Sequence, residues 1–267
     1  MRPLTIPSDI QQHWHQGLDP KELISDVRDH YEKLLRGFPD VSIIIPAFNE
    51  EKTILQTLGS ICHNTTSKSV EIVVVDNNST DETAALVKAC GIACVSENKQ
   101  GITFARNCGL RHARGKYIIN ADADTIYPAF WIEELILPLE QSQEVALTYG
   151  RFSFLPTGKA TRGTYFFYEH FADLSRNLNK YLKDEAMNVY GFNSAFRKEH
   201  ALQVDGYDHP PGSNEDGYLA LKLRNRGFGK LFYAKKALVW TNDRSIHSDG
   251  GLWRGTAKRL KRVFIGG

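Results

Sequence analysis

The chain has 267 residues, 42% of them hydrophobic, which is enough to bury one large core. Lys and Arg number 33 against 31 Asp and Glu, a net charge of +2, and that balance argues against nucleic-acid binding, which needs a basic surface to displace counterions. The four cysteines form no Cys-x-x-Cys pair and keep no zinc-type spacing with histidines, so they read as reduced, mostly buried thiols.

The first residues, "MRPLTIPSDIQQHW", hold no apolar core of signal-peptide length, and no run approaches the ~18 apolar residues of a membrane span. A cytoplasmic location is expected, in which the sequons at Asn64 and Asn78 carry little meaning. Residues 1–38 stand apart as an N-terminal helical extension. Asp19 is placed as an N-cap, Pro20 sits at the first helical position, and Leu23, Val27, Tyr31, Leu34 and Leu35 recur at helical spacing. Such a helix packs on the domain behind it or meets a partner, and packing is the simpler expectation.

From residue 41 the pattern alternates. "VSIIIP" and "VEIVVVD" read as buried strands, followed by helices from about Asn49 and over "STDETAALVKACG". Ser79 and Glu82 suit a capping box for the second helix, and Gly91 suits its stop. "IACVSE" is a third strand, "GITFARNCGLRHARG" a helix closed by Gly115, and "KYIINAD" a fourth strand. Continuous apolar strands separated by helices imply a parallel sheet covered on both faces, with the strand-to-helix loops gathered at one edge. Ligands of open α/β sheets bind at that edge.

The second half is less regular. A helix near 128–141, a strand near 145–150, the aromatic-rich helix "TYFFYEHFADLSRNLNKYL", a strand in "NVYGFNSAFRK", a helix in "SNEDGYLALKLRNRG" and a strand in "KLFYAKKALVW" are expected. Core packing accounts for most of Tyr165, Phe166, Phe167, Tyr168 and Phe171, with a sugar or lipid platform as the other use.

The strand ends carry "PAFNE" (46–50), "DNNSTD" (76–81) and "DAD" (122–124), so several carboxylates converge on one edge. Like charges repel there unless a cation intervenes, and a hard divalent ion bridging to a diphosphate is the usual answer. Asp122 and Asp124 alone read equally well as caps of a polar loop. Lys99, Arg106 and Asn107 add weight, since they surround the start of a helix whose terminus favours anions. Glu215 and Asp216 form a second acidic pair. Ser213 and Asp216 have capping-box spacing, so Asp216 either caps a helix or serves as a general base, and the two uses are compatible.

Together "VSIIIPAFNEEKTILQTLGSI", "EIVVVDNNSTDET", "GITFARNCGLRHARGKYIINADADT" and "NEDGYLALKLRNRGF" resemble family 2 of the glycosyltransferases, which have the GT-A fold, over about residues 41–240. The resemblance implies a Rossmann-like, mostly parallel α/β sheet flanked by helices, with residues 39–127 as the nucleotide half and 128–240 as the acceptor half. It places Pro46, Ala47, Asn49, Glu50 and Asp76 at the nucleotide, Arg106 at the diphosphate, and Asp122 near the ribose and metal. Asp124 becomes the firmest ligand of Mn2+ or Mg2+, and Asp216 the base of an inverting transfer from a UDP-, GDP- or dTDP-sugar. The acceptor is a glycan or lipid-linked hydroxyl, in cell-surface polysaccharide or glycoconjugate synthesis. Two departures matter. Asn77 stands where many members have an aspartate, which leaves the nucleotide open, and no Gln-x-x-Arg-Trp of polymerising members is present. Glu215 and Arg244 are assigned to the acceptor or diphosphate side, with His247 a weaker candidate metal ligand. The tail, residues 241–267, is basic and amphipathic, docking as a helix or lying on the inner face of the plasma membrane. A homodimer is a further expectation. A sugar-nucleotide nucleotidyltransferase would need a glycine-rich basic loop where "PAFNEE" is acidic, and an oxidoreductase would need GxGxxG there. A non-catalytic nucleotide-sugar-binding module is disfavoured by Asp124 and Asp216 occurring together.

Overall fold

In a computed structural model, residues 2–14, 19–158, 160–182 and 184–243 are described. Arg244, His247 and all but the first three residues of the expected tail lie outside them. Two helices come first, α1 (Ser8–His13) and α2 (Pro20–Leu34). The Asp19 carboxylate caps α2 by accepting from Lys21 N at 3.0 Å, with Pro20 at the start of the helix. Val27, Tyr31 and Leu34 are buried in the same apolar cluster as the first strands, so α2 is packed on the sheet layer.

The next elements alternate: β1 (Val41–Ala47), α3 (Ile54–Cys62), β2 (Val70–Asp76), α4 (Thr83–Ala89), β3 (Ala93–Ser96), α5 (Ile102–His112) and β4 (Tyr117–Asn120). β3, β2, β1 and β4 lie side by side and parallel. The apolar runs of β1, β2 and β4 are continuous because both faces are covered. Ile43, Ile45, Ile72 and Val74 face α2, α3 and the helix after β4, while Ile44, Val73 and Val75 face α5.

The remaining elements are β5 (Thr125–Ile126), α6 (Trp131–Gln141), β6 (Val145–Leu155), α7 (Arg162–Leu182), a 3-10 turn (Glu185–Asn188), β7 (Ser194–Arg197), α8 (Lys198–Leu202), α9 (Glu215–Asn225) and β8 (Lys230–Asn242). They extend the sheet in the order β4-β7-β6-β8-β5. β7 runs antiparallel to β4 and β6, β6 and β8 are parallel, and β5 pairs antiparallel with the end of β8. Among the described residues no helix is long and apolar enough to cross a membrane. The cysteines are free thiols, three of them buried.

Several boundaries differ from the sequence-based expectations. The helix expected from Asn49 begins at Ile54, because Asn49 adopts a left-handed φ of 56° that a helix cannot continue. The Ser79–Glu82 capping box does not form. The Ser79 hydroxyl accepts from Asn49 N at 3.0 Å, and Asp81 takes over the start of α4, accepting from Thr83 N at 3.0 Å. Gly91 does close α4, at φ 74°. Gly115 lies past the end of α5, where a Cβ would meet the Ser42 backbone at 2.7 Å, so it serves close approach rather than a helix stop. Asn214, not Ser213, caps α9, its side chain accepting from Gly217 N at 2.6 Å. The strands near 145–150 and 230–240 run on to Leu155 and Asn242. On α7 the core claims Tyr165, whereas Phe167 and Phe171 are exposed.

Candidate active site

β1, β2 and β4 end at one edge, and the loops after them build a cleft of about 370 Å³. Pro46, Ala47, Glu50, Asp122 and Asp124 line it, as do Asn77 and Gly101. Parallel pairing explains the convergence: Ala47 is in register with Asp76, and Ala121 N donates to Ile44 O at 3.0 Å just past the end of β4. Asn49 and Asp76 are not in the cleft wall. Asn49 ties the first loop to the second, accepting from Thr80 N at 2.8 Å, while Asp76 accepts from Ser79 N at 3.2 Å in its own turn.

Arg106 is buried beneath the cleft at 2% exposure, where the α5 helix carries it under the end of β4. Its Nη2 donates to Asp122 Oδ1 at 3.1 Å, and its Nε lies 3.5 Å from Asp216 Oδ1 and 3.8 Å from Glu215 Oε1. One guanidinium thus joins the Asp-x-Asp turn to the start of α9. Arg106 Nε and Nη1 and Asp216 Oδ1 are buried without a hydrogen-bond partner among the described residues. Lys99 is elsewhere, its Nζ 3.8 Å above the Phe104 ring, and Asn107 binds Asp208 and Tyr207 N.

The electrostatics follow from this crowding. Burial pushes the Asp122 carboxyl up to about 6, Arg106 opposes the rise, and Asp124, Glu215 and Glu50 add to it. Burial also pushes Asp216 well above the usual carboxylate range, against Arg106 and with Glu215 and Asp122. Two residues that sequence reasoning missed complete the arrangement. A Cβ on Gly191 would collide with Asp216 Oδ2 and Arg106 Nη2, so only glycine lets that segment close over the pair. Asn242, at the end of β8, donates from Nδ2 to Asp124 Oδ2 at 3.0 Å. Gly191 had no sequence signal, and Asn242 lay beyond the expected end of its strand.

The carboxylates Asp122, Asp124, Glu50, Glu215 and Asp216 outnumber the one buried guanidinium, and that excess fits a divalent cation facing Asp122 and Asp124. Among the described residues no third histidine, cysteine or carboxylate gathers with these two at ligand distance. A two-carboxylate set suits Mg2+ or Mn2+, which keep water and phosphate oxygens in their other positions.

A parallel sheet widened by an antiparallel half, with an acidic cleft at the strand ends, is the fold of the GT-A glycosyltransferases. The mannosyltransferase PcManGT from Pyrobaculum calidifontis, solved in complex with GDP-Man and Mn2+, matches with a TM-score of 0.60 at 20% identity, covering 91% of this chain and 72% of its own. Glucosyl-3-phosphoglycerate synthase from Mycobacterium tuberculosis, solved with Mn2+, UDP-glucose and phosphoglyceric acid, matches at 0.56 and 20% identity, covering 94% of this chain and 85% of its own. At these identities the likeness speaks for the fold. Residues 42–204, more than half of the chain, match glycosyl transferase family 2, and the chain belongs to that family. It is similar to UDP-Glc:alpha-D-GlcNAc-diphosphoundecaprenol beta-1,3-glucosyltransferase WfaP of Escherichia coli, 35% identical over 42% of this chain and 45% of that protein. The probable glycosyltransferase YdaM of Bacillus subtilis (strain 168) is 25% identical over 78% of this chain and 52% of its own. The chain spans about half the length of these two relatives.

Proposed function

We propose that this chain transfers a glycosyl group from a nucleoside-diphosphate sugar to a hydroxyl acceptor by a single, inverting displacement. The observation that carries the reading is the Arg106 bridge, which joins Asp122 in the donor cleft to Asp216 at the start of α9. Pro46, Ala47 and Glu50 hold the nucleotide side, with Asp76 one strand away, in register with Ala47, to meet the base. Asp122 and Asp124 would hold Mn2+ or Mg2+, which would supply positive charge to offset that of the diphosphate. Arg106 fixes both acidic groups, and its positive charge beside Asp122 stabilises charge on the leaving side. Asp216 Oδ1, buried and without a hydrogen bond, takes the proton of the acceptor hydroxyl, whose oxygen then attacks the anomeric carbon from the face opposite the diphosphate.

The donors of the structural relatives and the lipid-linked acceptor of the E. coli relative support this substrate class. We assign the acceptor to the half formed by residues 128–240, with Glu215 on that side, and propose a role in polysaccharide or glycoconjugate synthesis. A cytoplasmic site of action completes the reading. Calorimetry with UDP, GDP and dTDP, with and without Mn2+, should give metal-dependent binding of one nucleotide. Asp124→Ala should abolish the metal dependence, and Asp216→Asn should keep donor binding yet lose transfer. Equal, metal-independent binding of all three nucleotides would sink the assignment.

A further inference from the structure

A second group of metal-ligating side chains lies at the far end of α3. The helix begins after the Glu50 loop and runs nine residues, about 13 Å, away from the cleft. His63 follows its last turn. Asp26 and His30 sit one turn apart on α2, and His13 ends α1. Three helices therefore bring three imidazoles and a carboxylate together. The His30 and His63 rings stack with centroids 3.8 Å apart, and the His13 centroid is 4.8 Å from that of His63.

Hydrogen bonding decides which ring nitrogens are available. His63 Nδ1 faces Gly59 O at 2.9 Å, and His30 Nδ1 faces Asp26 O at 2.9 Å. A carbonyl only accepts, so each Nδ1 carries a proton, and Nε2 is the nitrogen each ring has left to ligate with in its neutral form. A backbone carbonyl behind the ring is also how metal-binding histidines are oriented. His63 Nε2 then looks at Asp26 Oδ1 across 3.6 Å. A lone pair and a carboxylate oxygen at that distance repel unless a proton or a metal ion lies between them. One ring nitrogen of each histidine and a carboxylate oxygen of Asp26 all fall within 4.8 Å of one another, and His30 Nδ1 lies 3.2 Å from Asp26 Oδ1. A tetrahedral ion with bonds of the zinc type spaces its ligand atoms at about 3.3 Å, so the two stacked rings turn apart to aim their nitrogens at it. An open pocket of about 280 Å³ lined by His30, Lys33, Arg36, Cys62, His63 and Asn64 lies beside the two imidazoles.

We propose that Asp26, His30 and His63 form a transition-metal site of the Zn2+ class, separate from the active-site cleft, with His13 closing it on the side of α1. Two nitrogens and one oxygen favour Zn2+ over Mg2+, which prefers oxygen throughout, so the two sites select different ions. The bound ion cross-links α2 to α3 and holds the N-terminal helices on the layer that carries the Glu50 loop.

Co2+ serves as a visible probe on chelator-stripped protein, with Asp124→Ala as the background that removes the cleft's contribution. The expected result is about one equivalent of Co2+ giving a d–d absorption band that excess Zn2+ displaces. The band should persist in the Asp124→Ala background and disappear when His30→Gln or His63→Gln is added to it. Saturating Zn2+ should raise the melting temperature of the Asp124→Ala protein by about 5 °C or more and leave that of the His63→Gln double variant unmoved. Asp26→Asn, which keeps shape and hydrogen bonding, is the second variant should a histidine change disturb folding. No band in the Asp124→Ala protein, or a band that survives His63→Gln or Asp26→Asn, overturns the site.

Discussion

Asn77 uses both ends of its amide. Nδ2 donates to Glu97 O at 2.7 Å and Lys99 O at 2.9 Å, while Oδ1 accepts from Gly101 N at 2.7 Å. An aspartate there would turn an acceptor toward two carbonyls. Asn77→Asp should cost about 1–3 kcal/mol, read as a fall in the urea midpoint, and should loosen the 97–101 wall of the cleft. Asp216 gives a prediction with a pH sign. Its folded-state pKa is raised, by burial first, with Glu215 and Asp122 adding and Arg106 opposing. Between the ordinary value of about 4 and the raised one the folded state binds more protons than the unfolded, so stability from this group is lost as pH rises through the folded value. Asp216→Asn, neutral throughout, should gain on the wild type in melting temperature as pH is taken from about 4 to about 8. A difference that stays constant with pH would refute the burial of an uncomfortable carboxylate. The carboxylates at the ends of apolar runs were legible in the sequence because hydrophobic strands seldom finish on charge. Arg106 was legible as a partner of anions, but not as a buried one, since burial depends on what α9 and Gly191 bring over it.

At the scale of elements, periodicity located the strands and helices, whereas competition between loops decided where they start. Ser79 has the side chain and spacing of a cap, yet its hydroxyl is taken by Asn49 N from the neighbouring loop. That contact joins residues 30 apart, and no local pattern reports it. The α2 helix is the opposite case, since Asp19, Pro20 and the apolar stripe announce it and the structure follows. Its Leu34 is 5% exposed within the main apolar cluster. Leu34→Ala should therefore destabilise the whole molecule by about 2–5 kcal/mol in urea unfolding, with one transition rather than two. A separate early transition would mean that α2 melts by itself and is an appendage.

For the molecule as a whole, the first four strands could be read from sequence as parallel, with their loops at one edge, because apolar strands alternate with helices. The other four could not. β7 enters next to β4 antiparallel, and the β6–β8 pairing shifts register at Val145/Leu147 and Tyr149/Arg151, features set by contacts between distant segments. The same arrangement imposes an order in time. Asp124 is held by Asn242, a residue 118 positions later, through a strand pairing that closes only after β8 exists. Long-range closures of this kind carry the largest entropy cost and come late in folding. A refolding chain should accordingly regain the secondary structure of its first half before it can take up Mn2+ in the cleft. Stopped-flow circular dichroism against Mn2+ and nucleotide binding would show that lag, and simultaneous recovery would rule it out. A nascent chain with β1 to β4 in place would then hold the outline of a nucleotide cleft while its cation grip awaited the last strand.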